Sequence, residues 1–311
     1  MEYENPKIPE GINTSDEHPL KGFFILVIGT VTLLAVLSFA LAISGSWLAG
    51  RIPYATEAKI VEKFSERFLN EADFDADPTD EEAAEDQSSH DQSSESESTG
   101  SVAVVEKRRA IEAYLQNQVN ELAALMDLPP KMQLTVNYVD DDVVNAFATL
   151  GGNLIFYRGL LEALPNENAL SMLLAHEIAH VKFRHPITSL GRGMAVSVGL
   201  SLLTGKTEGI EFLGNSGIYT ILHFSRKMER ASDHEALQAL YRRYGHLNGA
   251  ESLFSAIQNE REDEEPPEFF SSHPLDDDRL KAIETIALEK GWSLDGELTQ
   301  IPDFWGEKDS E

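Results

Sequence analysis

An uncharged, mostly apolar run from Gly22 to Gly50 restricts what this chain can fold into more than any other feature. At about 1.5 Å per residue, a helix over this run exceeds the roughly 30 Å of bilayer hydrocarbon. Lys21 and Arg51 close its two ends. A cleaved signal peptide is the alternative, but the run is too long and no basic region precedes it. The sequence therefore predicts one transmembrane helix over residues 21–50, which attaches the protein to a lipid bilayer.

Composition divides the rest of the chain into one folded part and several polar segments. Residues 1–20 form a polar tail, residues 51–72 an amphipathic helix beside the membrane, and residues 73–101 an acidic linker. The linker is too polar to bury the apolar surface that folding requires. Residues 102–290 carry helical and strand periodicities and form one folded domain, which a tail over residues 291–311 follows.

Charge and cysteine content exclude several classes of protein. The formal net charge of the 311-residue chain is −28, with 53 acidic and 25 basic residues. Such a surface repels nucleic acid phosphates, so no nucleic acid partner is expected. The chain has no cysteine, which excludes disulfides, thiolate catalysis and cysteine-ligated zinc sites.

The folded domain is predicted to be mainly helical, with a small strand region. A helical pattern ends at Pro129-Pro130, and residues 131–138 alternate as a half-buried strand. Two short apolar runs flank Gly151-Gly152 over residues 145–157, which predicts a β-hairpin. Residues 194–203 form a second apolar segment that is too short to cross a bilayer. We expect this segment in the core rather than on the membrane surface.

The helix that follows Asn166 contains the run His-Glu-Ile-Ala-His, from His176 to His180. At about 100° per residue, residues four apart lie on one helix face. This spacing lets both imidazoles bind one zinc ion, with Glu177 beside them as a general base. A core helix with two incidental histidines is the alternative, and the pentapeptide alone does not decide between them.

A catalytic zinc site usually has a third protein ligand. His185 would point away if the helix continued to it, and Pro186 stands where a metzincin would have its third histidine. Glu229 and Asp233 lie one turn apart on a separate helix, where one carboxylate could reach the metal and the other a ligand's free N–H. A solvated charged face is the usual meaning of such a pattern, so spacing alone leaves both interpretations open.

Several motifs occur in one order along residues 105–290. They are Asn145-Ala146-Phe147, Gly151-Gly152-Asn153, Gly159-Leu160, His176 to His180, Ser225-Arg226 with Glu229 and Asp233, and His273-Pro274 with Arg279. Together they resemble the HtpX-like zinc metallopeptidases, the family that includes the CAAX prenyl endopeptidases and the mitochondrial Oma peptidase. Ser232 stands where that family usually has alanine, which exchanges one small side chain for another.

The resemblance implies an α+β, mainly helical zincin-type domain with a small β-sheet beside the active-site helix. It implies one zinc ion per chain, held by His176, His180 and Glu229, with Glu177 as general base and Asp233 behind a ligand. The expected function is a membrane-anchored zinc endopeptidase that hydrolyses unfolded or damaged membrane and envelope proteins, in a bacterial inner membrane. Protein and peptide substrates are therefore the expected partners.

Basic residues flank the transmembrane helix unequally. Two lie at its amino side, Lys7 and Lys21, and four follow it, Arg51, Lys59, Lys63 and Arg67. Because cytoplasmic flanks carry the excess of Lys and Arg, the count favours a cytoplasmic domain by a small margin.

The predicted hairpin is the natural edge for an extended substrate to join as an added strand. The residues expected to contact it are Asn145, Ala146, Phe147, Gly152 and Asn153. His273 is expected to bind the oxyanion or to block the metal in a resting state, with a capping or packing role as the alternative. Arg279 is expected to be a structural ion-pair partner.

Two rival functions belong to other classes. One is a catalytically silent, membrane-tethered binding protein that acts like a chaperone with the same fold. The other is a non-proteolytic zinc hydrolase, which is disfavoured because nothing in the sequence resembles a pocket for a small substrate. The sequence leaves the oligomeric state open.

Overall fold

The computed structural model describes residues 19–59, 94–204, 223–260, 267–275 and 277–302. Helix α1, Pro19–Ala49, covers the predicted transmembrane segment. Within the described part of the chain it alone is long and apolar enough to cross a membrane, and its most apolar window is 0% buried. Residues 54–59 are again helical, where the amphipathic helix was predicted.

The folded part surrounds one central helix and a small sheet. Its helices are α2 (Ser94–Leu125), α3 (Arg158–Ala163), α4 (Glu167–Lys182), α5 (His185–Thr204), α6 (Arg226–Tyr244), α7 (Ala250–Asn259), α8 (Glu268–Ser272) and α9 (Asp277–Lys290). Its strands are β1 (Thr135–Val139), β2 (Ala146–Ala148) and β3 (Asn153–Tyr157). The expected mainly helical α+β class is therefore confirmed.

The sheet is three-stranded, in the order β1-β3-β2. Strands β2 and β3 are antiparallel, with Phe147 opposite Ile155, and β1 runs parallel to β3. A short 3-10 turn, Leu150–Gly152, joins β2 to β3. Gly152 has a φ of 80°, and an added Cβ would collide with the carbonyl of Gln133, so only glycine fits this turn. The predicted hairpin is confirmed.

Helix α4 lies at the centre of the domain. The side chain of Asn166 caps it by accepting a hydrogen bond from the backbone N–H of Ala169 at 2.9 Å, as the sequence predicts. Every residue from Asn168 to Val181 is buried. Its apolar side chains, such as Leu170 and Leu174, join one core with residues of α2, α6, α7 and the sheet. Because α4 is enclosed on all sides, its polar side chains must find partners inside the protein.

The position of helix α5 differs from what the sequence predicted. The apolar segment over residues 194–203 was expected in the core, but it lies along the second half of α1. Gly191 meets Gly45 and Ala49, and Gly199 meets Leu41. The side chains of Met194 and Val198 are 48% and 43% exposed. Its apolar character therefore serves the contact with α1 and an outer surface rather than the core.

The structure describes parts of the segments that were predicted on either side of the domain. Helix α2 begins at Ser94, inside the predicted linker. Residues 291–302 pack on the domain, where Trp292 stacks on Tyr241 with ring centroids 4.4 Å apart and Thr299 accepts a hydrogen bond from the backbone N–H of Glu167. The predicted polar tail before residue 19, the rest of the amphipathic helix, the linker up to residue 93 and residues 303–311 lie outside the described residues.

Candidate metal centre

Four buried side chains meet beside α4. His176 and His180 come from α4, Glu229 from α6 and His273 from the segment after α8, and their candidate ligand atoms all lie within 4.8 Å of one another. The Nε2 atoms of His176 and His180 are 3.1 Å apart. His273 Nδ1 lies 3.3 Å from His176 Nε2 and 3.4 Å from Glu229 Oε2. The structure thus brings together the three predicted ligands, and it adds His273 to them.

Helix spacing explains this convergence. His176 and His180 are one turn apart on α4, so both rings project to one side. Helix α6 begins after Ser225, whose Oγ accepts from the backbone N–H of Met228, and this start places Glu229 in its first turn. Glu229 Oε1 lies 3.4 Å from His180 Nε2, and Oε2 lies 3.4 Å from His176 Nε2. Glu229 and Asp233 are therefore buried and face the histidines, and they are not part of a solvated charged face.

Asp233 stands one turn further along α6 and lies behind His176. Its Oδ1 is 2.9 Å from His176 Nδ1, so it accepts the ring N–H on the side away from the cluster. This contact leaves the lone pair of His176 Nε2 pointing at the other three groups. The arrangement is the carboxylate–histidine pair that usually orients a metal ligand.

Arg279 contacts two carboxylates of α6, those of Glu229 and Asp233. Its Nε and Nη2 donate to the two oxygens of Asp233 at 2.7 and 2.8 Å, and its Nη1 lies 3.0 Å from Glu229 Oε2. It also donates to the backbone carbonyls of His273 and Pro274. One buried guanidinium therefore connects α6 with the segment that carries His273, in the ion-pair role that was expected.

The electrostatics of the cluster favour a bound positive charge. Burial lowers the pKa of His176, but its hydrogen bonds to Asp233 and Glu229 outweigh this effect and raise the pKa to about 9. Burial lowers the pKa of His180 well below its ordinary value. Burial raises the pKa of Glu229, but the neighbouring His273 and His180 outweigh it and hold the pKa well below its ordinary value. Glu229 is therefore an anion inside the protein, with the guanidinium group of Arg279 next to one oxygen and the other oxygen available to a metal ion.

Glu177 is buried next to the cluster without a visible role in folding. Its side chain is 0% exposed, and neither carboxylate oxygen has a hydrogen-bond partner among the described residues. The ring of His273 lies close to it, with Nε2 3.6 Å from Glu177 Oε1. A buried carboxyl group without partners is costly, which indicates that the site keeps it for chemistry.

His185 has a role that the sequence did not indicate. Its Nδ1 lies 3.2 Å from His180 Nδ1, on the side of His180 that faces away from the cluster. A continuing helix would turn His185 away, but α4 ends at Lys182 and Arg184 has a φ of 61°, so the chain turns back. Burial lowers the pKa of His185 to about 4, which keeps its ring neutral and able to accept a hydrogen bond. His185 therefore orients His180 as Asp233 orients His176.

The residues expected to contact substrate fall into two groups. Asn145, Ala146 and Phe147 lie on or next to β2, which packs against α4, and Phe147 clusters with Phe224. The ring centroid of Phe224 is 4.0 Å from that of His180, so this end of the hairpin borders the cluster. Gly152 and Asn153 instead form the turn, where Gly152 faces Gln133 and Tyr54 and the Asn153 side chain donates to the Leu150 carbonyl. The structure thus gives the second pair a structural task.

The donor set fits a zinc ion. Two imidazole nitrogens and one carboxylate oxygen are a common protein ligand set of catalytic zinc. Glu229 Oε1 is buried and has no hydrogen-bond partner among the described residues, as expected for a metal-binding oxygen. His176 and His180 each have a partner at Nδ1, which leaves Nε2 for the metal. These residues therefore fit the ion without rearrangement of their outer contacts.

Comparisons with known proteins agree with this site. The model of peptidase family M48 matches residues 109–287, more than half of the chain. The beta-barrel assembly-enhancing protease of Yersinia pestis is 30% identical over 155 residues, which cover 46% of this chain and 32% of that protein. The mitochondrial metalloendopeptidase OMA1 of Schizosaccharomyces pombe is 31% identical over 156 residues, covering 48% of this chain and 45% of that protein.

The chain thus spans less than half the length of these curated relatives. All four residues of the cluster lie within the matched segment. Peptidases of the matched family depend on zinc, in agreement with the donor set. The chain belongs to peptidase family M48, and residues 109–287 are its zinc metalloendopeptidase domain.

Proposed function

We propose that the whole protein is a membrane-anchored zinc endopeptidase that cleaves unfolded or damaged proteins of a membrane or cell envelope. The observation that carries this proposal is the meeting of His176, His180 and Glu229 around one point, with the free carboxyl group of Glu177 beside it. The two relatives are named as a beta-barrel assembly-enhancing protease and a mitochondrial metalloendopeptidase, which supports a membrane setting.

The proposed ligands of the zinc ion are His176, His180 and Glu229. When bound, zinc lowers the pKa of a water molecule and polarises the scissile carbonyl group. Glu177 accepts the proton of the attacking water on a carboxylate oxygen and later donates it to the leaving amine. Asp233 and His185 hold the two imidazoles in the tautomers that present Nε2. Arg279 fixes Glu229 and Asp233, so that both carboxylates keep their positions during turnover.

The substrate is proposed to bind as an extended strand along β2. Among the described residues, this strand pairs with β3 alone, so its other edge has unpaired backbone groups. Asn145 precedes β2, and its buried Oδ1 has no hydrogen-bond partner among the described residues, which makes it a suitable acceptor for a substrate N–H. Because backbone hydrogen bonds supply most of the binding, this mode accepts many sequences and requires an unfolded segment.

His273 is proposed to restrain the enzyme. Its Nδ1 lies at similar distances from His176 Nε2 and Glu229 Oε2, so it occupies the side of the cluster that a reacting carbonyl group would need. Its ring stacks on Phe269 with centroids 4.5 Å apart, and this contact links the position of His273 to α8. A substrate strand beside β2 would approach α8, because the backbone N–H of Phe269 donates to the Val144 carbonyl.

The side of the membrane is a separate part of the proposal. Arg51 and Lys59 follow α1 while Lys21 lies in its first turn, which supports a cytoplasmic domain in a bacterial inner membrane. A protease-protection assay on spheroplasts, with a tag at the carboxyl end, tests this placement. Digestion of the tag by external protease would show that the domain faces outwards.

The variant Glu177→Gln tests the catalytic assignment. We expect it to retain zinc and to lose casein cleavage by about a hundredfold or more, because removal of a general base typically costs this much. The variant Glu251→Gln, at an exposed position on α7, is the matched control and should behave as wild type. Zinc content by mass spectrometry and the rate of casein cleavage are measured together. A zinc-loaded Glu177→Gln protein with undiminished activity would refute the assignment.

A further inference from the structure

Helix α5 packs along the second half of α1 in the way that membrane helices pack. The two helices are antiparallel, because Gly191 meets Gly45 and Ala49 while Gly199, further along α5, meets Leu41, further back along α1. An added Cβ at Gly45 or Gly191 would collide with the backbone of the other helix. Small residues that let two backbones approach closely are typical of helix pairs in lipid.

The outward side of α5 is apolar and continues the surface of α1. Met194 and Val198, one turn apart, are 48% and 43% exposed. Phe39 and Ile43 of α1, at the level of this contact, are 68% and 54% exposed. The sequence from Gly193 to Gly205 contains no charged residue. Two adjoining helices that both expose large apolar side chains form a surface suited to hydrocarbon rather than to water.

Aromatic and basic residues mark where this surface meets water. Trp47 is 58% exposed, and the guanidinium group of Arg51 lies 3.4 Å from its ring centroid. Tryptophan and arginine are the residues that gather at membrane–water boundaries. Arg192 lies at the same level, because its neighbour Gly191 contacts Ala49. From this level, the rest of α5 and the preceding part of α1 lie side by side and form the apolar surface.

The chain returns to the boundary after α5. The carbonyl group of His223 accepts hydrogen bonds from Ser189 Oγ at 3.4 Å and from Arg192 Nη2 at 3.1 Å. The chain therefore leaves the boundary with α5 and comes back to it at His223, on the same side. The uncharged part of α5, residues 193–204, is too short to cross the bilayer, and His223 lies at the same boundary, so α5 fits a helix that enters the membrane without crossing it.

We propose that the second half of α5 is embedded in the bilayer beside α1 as a partial span, and that it holds the metal centre at the membrane surface. His185, which contacts the metal ligand His180, begins α5 and lies about 9 Å along the helix from Gly191. A site so close to the boundary acts on protein segments that lie at the bilayer surface or leave it. This substrate class rests on the proposed function, whereas the position of α5 does not.

Nitroxide labelling tests the position of α5 in the full chain. The protein has no cysteine, so each single-cysteine variant carries one label. The variants are Val198→Cys and Met194→Cys on α5, Phe39→Cys on α1 and Leu288→Cys on α9, where Leu288 is 83% exposed. The protein is reconstituted in vesicles of phosphatidylcholine and phosphatidylglycerol. Collisions of each label with oxygen, which concentrates in lipid, and with a nickel chelate, which stays in water, are then measured.

We expect the label at residue 198 to favour oxygen over nickel as the label at residue 39 does, and the label at residue 288 to show the reverse. The label at residue 194 should lie at a shallower depth than the label at residue 198. The proposal is overturned if the label at residue 198 favours nickel over oxygen as the label at residue 288 does. It is also overturned if the label at residue 194 lies deeper than the label at residue 198. Zinc content confirms that each variant is folded, and the variant at residue 194 provides a second site if the first one is not.

A comparison of two substrates tests whether the site acts at the membrane surface. A casein-derived peptide is offered either free in solution or tethered by a lipid to the same vesicles, and the variant Val198→Asp is compared with wild type. Wild type should cleave the tethered peptide faster, and Val198→Asp should lose this preference while it cleaves the free peptide at the wild-type rate. If wild type and Val198→Asp prefer the tethered peptide to the same extent, the placement of the metal centre at the membrane surface is overturned. Because labelling needs no peptidase activity, an inactive protein with an embedded α5 would refute the proposed function alone.

Discussion

At the scale of single residues, the site depends on partners that stand behind the candidate ligands. Asp233 Oδ1 accepts the N–H of His176 Nδ1 at 2.9 Å, and His185 Nδ1 lies 3.2 Å from His180 Nδ1. The helical spacing of His176, His180, Glu229 and Asp233 was visible in the sequence, because all four lie on two regular helices. His185 was not, because it depends on the turn at Arg184, where the backbone leaves the helix with a positive φ. Periodicity describes residues within an element and says nothing about the turn that follows it.

The variant His185→Ala tests this partner. Loss of the acceptor at His180 Nδ1 should weaken zinc binding by about 10- to 100-fold, as is usual when a residue behind a ligand is removed. His234→Ala on α6 is the control, because the described contact of His234 is with Gln238. Zinc affinity is measured by competition with a chelator. An unchanged affinity in His185→Ala would mean that His180 does not need this partner.

The variant His273→Ala tests the proposed restraint. Three ligands remain, so zinc should stay bound, and removal of the ring should raise the rate of casein cleavage because substrate no longer displaces it. The cleavage rate and zinc content of His273→Ala and wild type are compared at equal protein concentration. A slower variant with full zinc would assign His273 to stabilising the reacting carbonyl oxygen instead.

At the scale of elements, the helix at residues 54–59 is part of the catalytic domain, although a long linker separates it from α2 in the sequence. Glu57 Oε1 accepts from the backbone N–H of Gly151 at 3.0 Å, and Oε2 pairs with Arg184 Nη2 at 2.5 Å. The hydroxyl group of Tyr54 lies 2.5 Å from the Gln133 carbonyl oxygen. The chain that follows the membrane helix therefore holds both the hairpin turn and the end of α4.

The variant Glu57→Ala tests this connection. Glu57 is 4% exposed, so its removal leaves a partly buried guanidinium and a backbone N–H without their acceptor. We expect a loss of about 1–3 kcal/mol in the free energy of unfolding, the range for one buried group left without its acceptor, because Arg184 keeps its hydrogen bond to the Ile52 carbonyl. Lys59→Ala, at an exposed position on the same helix, is the control. Thermal unfolding of the detergent-solubilised proteins gives the comparison, and equal midpoints for Glu57→Ala and wild type would contradict the connection.

Local sequence signals predicted some of the elements but not how distant elements pack together. The start of α4 at Asn166 and the hairpin around Gly151-Gly152 were both predicted, because caps and turns are local signals. The placement of α5 along α1 and the docking of residues 291–302 were not predicted. Both depend on contacts between residues far apart in the chain, and an apolar segment such as residues 194–203 looks the same whether a core, another helix or lipid covers it.

At the scale of the whole molecule, the structure places a protease domain directly against its own membrane helix. Glu57, Arg184 and the α1–α5 pair join the two, so the domain is held close to the bilayer rather than suspended from a free tether. The acidic balance of the whole chain, with a formal net charge of −28, fits this position, because charged side chains stay in water. This placement supports the proposal that substrates reach the site at the membrane surface.

The most direct test is to locate the metal by anomalous X-ray scattering at the zinc edge. We expect one zinc peak per chain, about 2.0–2.2 Å from His176 Nε2, His180 Nε2 and a carboxylate oxygen of Glu229. The variant Glu229→Gln should lose this peak or most of its occupancy. A zinc ion bound elsewhere, or a full peak in Glu229→Gln, would contradict the convergence of these three residues on one metal ion.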